Sequence, residues 1–173
     1  GVYDGLAIVD IAGQHWPRKL AYGTDFVMQP VWHPGGDRLA YITWDHPNMP
    51  WDGSELHLAT LAHDATGFPY VETGEVIAGD AQTSVFQPEF SPDGRLLAYA
   101  SDESGWWQLY LYDLTECRHV RITDIEAEHG LPGWVQGMRA FAWTADSRAL
   151  VFLRNTRGAI SAHRYELETG HEV

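Results

Sequence analysis

The chain has 173 residues, 45% hydrophobic and 20% charged, a balance that excludes intrinsic disorder and allows one sizeable core. Its 11 basic residues stand against 24 acidic ones, and the net charge of −13 argues against nucleic acid and anionic membrane as partners. No apolar run approaches the roughly 18 residues that a membrane span needs, and the single cysteine, Cys117, excludes an internal disulfide and a cysteine-based metal site.

A lone cysteine suits a reducing compartment, so a cytoplasmic location is expected. The chain opens "GVYDGLAIVD" with neither Met nor a signal peptide, and reads as a piece of something larger. In chain order, "GLAIVDI" (5–11) and "RKLAYG" (18–23) predict two strands, the third and fourth of a four-stranded unit. From Val31, "VWHPGGDRLAYI" places an aromatic (Trp32), a tight turn, an Arg and an apolar strand in succession. Third and fourth strands follow in "SELHLATL" (54–61) and "GEVIAG" (74–79).

The same order returns twice. "EFSPDGRLLAYA" from Glu89 is followed by "WQLYLYDL" (107–114) and "HVRITD" (119–124). "AWTADSRALVFL" from Ala142 is followed by "ISAHRYEL" (160–167) and a short "HEV". The turn chemistry supports the alignment. In "SPDG", Pro92 presets φ, Asp93 tolerates the next position and Gly94 takes the left-handed conformation. In "TADS", Ser147 stands where Gly94 does, at a cost of up to about 1 kcal/mol if it is left-handed. The stretch from Leu109 to His129 lacks Gly and Pro and would permit a helix, but the "LYLY" alternation and the β-branched "HVRITDI" favour strands.

These strands are apolar on both faces, as sheets sandwiched between neighbours are. The expected fold is therefore all-β: a partial β-propeller of four-stranded antiparallel meander blades, a fragment of a ring of about 6–8. The expected division is half a blade over 1–23, blades over 24–79 and 80–124, and most of a blade over 125–173. A plain β-sandwich is the alternative. Open blade faces and edges predict self-association of the isolated chain.

In a meander, successive connections emerge at alternate ends of the sheet. The first–second turns are minimal, whereas the second–third and interblade loops at the other end are long and aromatic. Trp51, Trp106, Trp107 and Trp134 belong to that end, with Trp44 at its margin; His46, Asn48 and Met49 lie in the same loop as Trp51. Such a gathering predicts an interface, or else side chains packed over their own blade rim. Because strand neighbours face opposite ways, at most one of Trp106 and Trp107 is a ligand platform. Glu126 and Glu128 fall in a loop of this end and read either as a carboxylate pair for a protonated amine or as two solvated acids. The nine histidines show no metal-ligand spacing, so neither metal nor cofactor is expected.

"WDHPNMPWDGSEL", "SVFQPEFSPDGRLLAYASDESGWWQLYLYDL" and "EAEHGLPGWVQGM" together resemble the N-terminal β-propeller of prolyl oligopeptidase-family serine peptidases, in the dipeptidyl aminopeptidase/acylaminoacyl-peptidase-like branch. His129 and Gln136 depart from it, standing where the family tends to have Phe. The resemblance implies a parent with a C-terminal α/β-hydrolase domain, which the propeller covers while gating peptide access and contacting the peptide's N-terminal end. The chain itself has no Gly-x-Ser-x-Gly elbow around any of its seven serines, so no catalytic residue is assigned to it. A TolB-like propeller that binds protein partners without catalysis is the competing reading.

Overall fold

A computed structural model describes residues 4–173, so the first three residues of the half-blade expected over 1–23 lie outside it. Every regular element among the described residues is a strand, in one two-stranded and three four-stranded antiparallel sheets. Strands β1 (Leu6–Ile8) and β2 (Arg18–Ala21) form the small sheet. The next contains β3 (Phe26–Trp32), β4 (Arg38–Trp44), β5 (Ser54–His63) and β6 (Pro69–Asp80). The central sheet contains β7 (Val85–Phe90), β8 (Leu96–Ser101), β9 (Gln108–Asp113) and β10 (Arg118–Arg121). The last contains β11 (Phe141–Trp143), β12 (Ala149–Thr156), β13 (Ala159–Glu166) and β14 (His171–Glu172). In all three larger sheets the strands pair in sequence order, the meander of a propeller blade.

Each blade carries the same interior construction. On the face toward the preceding blade, second and third strands stack one ring pair: Tyr41 on His57 (centroids 5.0 Å apart), Tyr99 on Tyr110 (5.4 Å) and Phe152 on His163 (5.6 Å). All three are direct cross-strand partners, so register alone brings the rings together. The opposite face is built of smaller residues, Ala40 and Ile42 in β4 and Ala98 and Ala100 in β8, all at most 1% exposed. One cluster of buried residues runs through the three large sheets, and a smaller one joins Leu6, Ile8 and Leu20 of the first sheet to Leu39, Tyr41, Ala59 and Leu61 of the next.

Two features extend beyond the sequence motifs. Strand β6 begins at Pro69, well before the "GEVIAG" motif, because β5 and β6 continue as a long hairpin. Its tip is held by the β1–β2 connection and the start of β2: Arg18 bonds Asp64, its guanidinium lies 4.9 Å from the Phe68 ring centre, and His15 packs on the same ring. The Thr66 hydroxyl, Arg18 and the backbone N–H groups of Phe68 and Thr66 together hold the Asp64 carboxyl far below the usual carboxylate range.

The second feature is a recurring bulge. Register shifts between Met28 and Val31 in β3 and between Phe86 and Glu89 in β7, where "QP" follows an apolar pair (Val27-Met28 and Val85-Phe86) 58 residues apart. Gln29 and Gln87 both sit at φ 51°. This uncommon conformation costs on the order of 1 kcal/mol for a residue with a side chain. The bulges aim the side chains along the inner strands: Gln87 N–H donates to Gln29 Oε1 (2.7 Å), and Ala140 N–H donates to Gln87 Oε1 (2.6 Å). Ala140 is the equivalent position in the last blade, so each glutamine stitches its own blade to the next.

Candidate functional site

The loop ends sort as the meander dictates. At one end the minimal turns touch each other: His33 Nε2 lies 2.9 Å from Gly94 O, and Asp93 N–H donates to Ser147 Oγ (2.9 Å). At the other end the long loops meet. Trp51 packs on Trp134 at 4.3 Å between centroids, although 83 residues separate them, and Asn48 Nδ2 donates to Ala81 O (2.9 Å). Trp107 joins the same end through its backbone, whose carbonyl accepts from His129 N–H (2.9 Å).

The β4–β5 loop is fixed from within. Trp44 stacks on Phe26 (5.1 Å, 13°), its cross-strand partner. His46 covers the edge of Phe26 (4.9 Å), and both its backbone N–H and its ring Nδ1 lie 2.9 Å from Asp25 Oδ2. The backbone hydrogen bond from His46, followed by its side chain, lowers the Asp25 pKa. Asp52 Oδ2 accepts from Met49 N–H (2.9 Å), closing the turn that presents Met49 and Trp51.

Over this loop lies the segment 131–138, which joins the central blade to the last and reaches back to β3. Its Gly133 sits on the Met28 methyl group, where a Cβ would come within 2.8 Å. Met28, Trp44, Met49, Trp51 and Trp134 line an apolar cup of about 230 Å³. Trp134 (67% exposed), Val135 (62%) and Met49 (47%) stand out of it as a contiguous oily rim. Trp106 is exposed, while Trp107 packs edge-on to Phe86 and against Gly130, where a Cβ would come within 2.8 Å. The pair thus divides into one surface and one core residue.

The two candidate carboxylates occupy different surroundings. Glu126 is exposed. Glu128 Oε2 accepts from Trp107 N–H (3.0 Å), and the Glu128 backbone pairs with Asn155. Nearby Asp102 has its pKa raised, first by burial and further by the charges of Glu128 and Asp80, while Ser84 N–H donates to its Oδ1 (2.7 Å).

The two positions that depart from the family pattern both make polar links between blades. Gln136 Oε1 accepts from Gln29 N–H (2.8 Å). His129 is fully buried: Nδ1 donates to Trp107 O (2.9 Å), which fixes the tautomer, and Nε2 accepts from Arg154 Nε (2.9 Å). Arg154 then grips Glu172 with both Nη atoms (2.6 Å each), and His163 Nδ1 lies 3.0 Å from the same carboxylate. Sequence reasoning assigned nothing to this network or to the glutamine stitch. The repeated "QP" was a legible signal for the stitch; the charged cluster had none, because its members are spread from 129 to 172.

No family model matches the chain. Among solved structures, a puromycin-hydrolyzing peptidase of Mycobacterium tuberculosis superposes with a TM-score of 0.80 at 30% identity, over 91% of this chain and 23% of its own. A puromycin hydrolase matches equally, with a TM-score of 0.79, 30% identity and the same coverage of both chains. In sequence alone, the Tol-Pal system protein TolB of Jannaschia sp. is 27% identical over 128 residues, 72% of this chain and 26% of that protein. The chain thus spans about a quarter of each of these relatives. Blade architecture, loop motifs and the match to these peptidases agree: the chain resembles the β-propeller of prolyl oligopeptidase-family serine peptidases.

Proposed function

We propose that this chain is part of a non-catalytic propeller that docks against an α/β-hydrolase domain through its aromatic end and gates the entry of peptides to that domain. The observation that carries the reading is the Trp51–Trp134 cup with its exposed rim of Trp134, Val135 and Met49. Contiguous apolar surface of this kind is characteristic of interfaces. The likeness to puromycin hydrolases supplies the type of partner. No helix among the described residues is long and apolar enough to cross a membrane, and a cytoplasmic location is part of the same reading.

Within it, Glu126 is the freer of the two candidate carboxylates to receive a peptide's protonated amine, since Glu128 already accepts from Trp107 N–H. The test uses the full-length parent protein. Trp134→Ala combined with Val135→Ser loosens the docked rim and raises cleavage of long peptides relative to short aminoacyl amides several-fold; an unchanged ratio overturns the gate. Glu126→Gln reduces the preference for free over blocked N-termini, and an unchanged preference removes that assignment.

The sequence match to TolB favours a second reading, a propeller that binds protein partners without catalysis. The reading frame beyond Val173 separates the two: a domain with a Gly-x-Ser-x-Gly elbow supports the gate, and its absence supports the binding propeller.

A further inference from the structure

The Gln136 side chain, coming from a loop, bridges two backbone groups of one strand. Its carboxamide accepts from Gln29 N–H at 2.8 Å and donates, in a longer contact of 3.5 Å, to Val27 O. These two backbone groups belong to residues i and i+2 of β3 and point away from β4, along the inner edge of the blade. A parallel neighbouring strand offers the same two groups to one residue of its partner. The Gln136 side chain therefore stands in for a peptide unit at an open strand edge.

The surroundings fit such a placeholder. The equivalent N–H groups of the next two blades, on Gln87 and Ala140, are capped by the glutamine of the preceding blade. Only β3 is capped from the other direction, by a loop. That loop, 131–138, is exposed at Pro132 and from Trp134 to Gly137. It is held to the first large blade by the Gln136 contacts, by Trp134 on Trp51 and by Gly133 on Met28. Beneath its far end, between the bulges of β3 and β7, lies a recess of about 200 Å³ lined by Gln29, Val31, Gln87, Gln136 and Met138. Gln29, with its left-handed φ, stands at the edge of this recess.

We propose that the inner edge of β3 at Val27–Gln29 is a binding site for an extended peptide backbone, and that Gln136 occupies it in the unliganded state. When the loop lifts, the freed N–H and C=O take the carbonyl and amide of the incoming segment, the main-chain mode by which peptides add to sheet edges. The affinity comes from the backbone, so the site is tolerant of side-chain identity. The ligand rests on the peptide-gating reading, but the site is tested without any hydrolase.

The experiment follows the 15N-labelled 173-residue chain by NMR while titrating the neutral, doubly blocked pentapeptide acetyl-Ala-Val-Thr-Val-Ala-amide. The Gln29 amide shifts on addition, and in Gln136→Ala the peptide binds about tenfold more tightly, as expected if removing a competing occupant raises the competent fraction from about a tenth to nearly all. Gln136→Glu keeps an acceptor for Gln29 N–H and binds like wild type. In the unliganded Gln136→Ala chain, the Gln29 amide exchanges with solvent faster while the Gln87 amide, capped by Gln29, does not change. An unmoved Gln29 amide in both chains, or weaker binding to Gln136→Ala, overturns the proposal. Neither result bears on long-peptide cleavage by the parent, which tests the gate separately.

Discussion

The central and last blades repeat one pattern in different surroundings. In β8 of the central sheet both faces are buried: Leu97 and Tyr99 toward the preceding blade, Ala98 and Ala100 toward the next, none more than 2% exposed. In β12 of the last sheet, Leu150 and Phe152 are equally buried, whereas Val151 and Leu153 on the opposite face are 41% and 45% exposed. An apolar residue at such a position does not define a core on its own; the neighbouring layer does. The last blade compensates on its covered face, where Arg154 carries the alternation to a buried charge that ties β12, β14 and the loop of His129 together.

The largest expected effect breaks the comparison directly. Leu97→Ala, in the central sheet, costs about 2–5 kcal/mol through lost burial and a residual cavity. Leu153→Ala, on the open face, costs under about 1 kcal/mol. Urea unfolding of the two variants at constant protein concentration measures both. Equal losses would mean that the open face is covered in solution, as self-association through it would bring about.

A smaller effect sharpens the role of the charged cluster. Burial, the first cause, and the Arg154 charge lower the His129 pKa, while the Arg154 hydrogen bond lowers that of Glu172. A folded-state pKa below the unfolded value means that stability is lost as pH falls. For His129 the loss begins below about 6.5 and for Glu172 below about 4.5, the ordinary values of the two groups. His129→Phe, the residue type the family resemblance expects there, therefore flattens the decline of the urea midpoint between pH 7 and 5. It does not abolish it, because burial lowers His57 and His119 in the same direction. Arg154→Met leaves Glu172 without its bidentate partner and costs about 2 kcal/mol at pH 7. An unaltered slope in His129→Phe would detach the network from the pH response.

The repeat itself was legible in the sequence because its signals are local: a tight turn, an aromatic before it and an apolar strand after it. The loop end was legible for the same reason, since meander connectivity assigns every loop to one end or the other before any contact is known. Contacts across the repeat were not. Trp51 meets Trp134 and Gln29 meets Gln136 only because the loop that joins the central blade to the last folds back over the first large blade, and nothing near either residue announces its partner. The length of the β5–β6 hairpin was not legible because residues 62–70, "AHDATGFPY", have the composition of a turn, whereas Pro69 and Tyr70 already pair with His63 and Ala62. Glu128 shows a further limit: a loop carboxylate is equally visible whether it waits for a ligand or caps a backbone N–H.

The smallest effect lies in the turns that the two blades share. Gly94 and Ser147 occupy the same position at φ 73° and 61°. Replacing Ser147 by Gly relieves a strain of about 1 kcal/mol, but it also removes the hydroxyl that accepts from Asp93 N–H across the blade boundary (2.9 Å). That bond contributes about 0.5–1.5 kcal/mol. The two terms offset, so Ser147→Gly changes stability by less than about 0.5 kcal/mol. Gly94→Ala has no such compensation: its Cβ would stand 2.5 Å from His33 Nε2, displacing the ring that meets the Gly94 carbonyl, and it incurs the strain as well. A loss of about 1–2 kcal/mol is expected. Thermal or urea midpoints of the two variants, compared side by side, decide whether Ser147 is a tolerated defect in the turn or an interblade contact, and a stabilisation near 1 kcal/mol in Ser147→Gly would assign it to the defect.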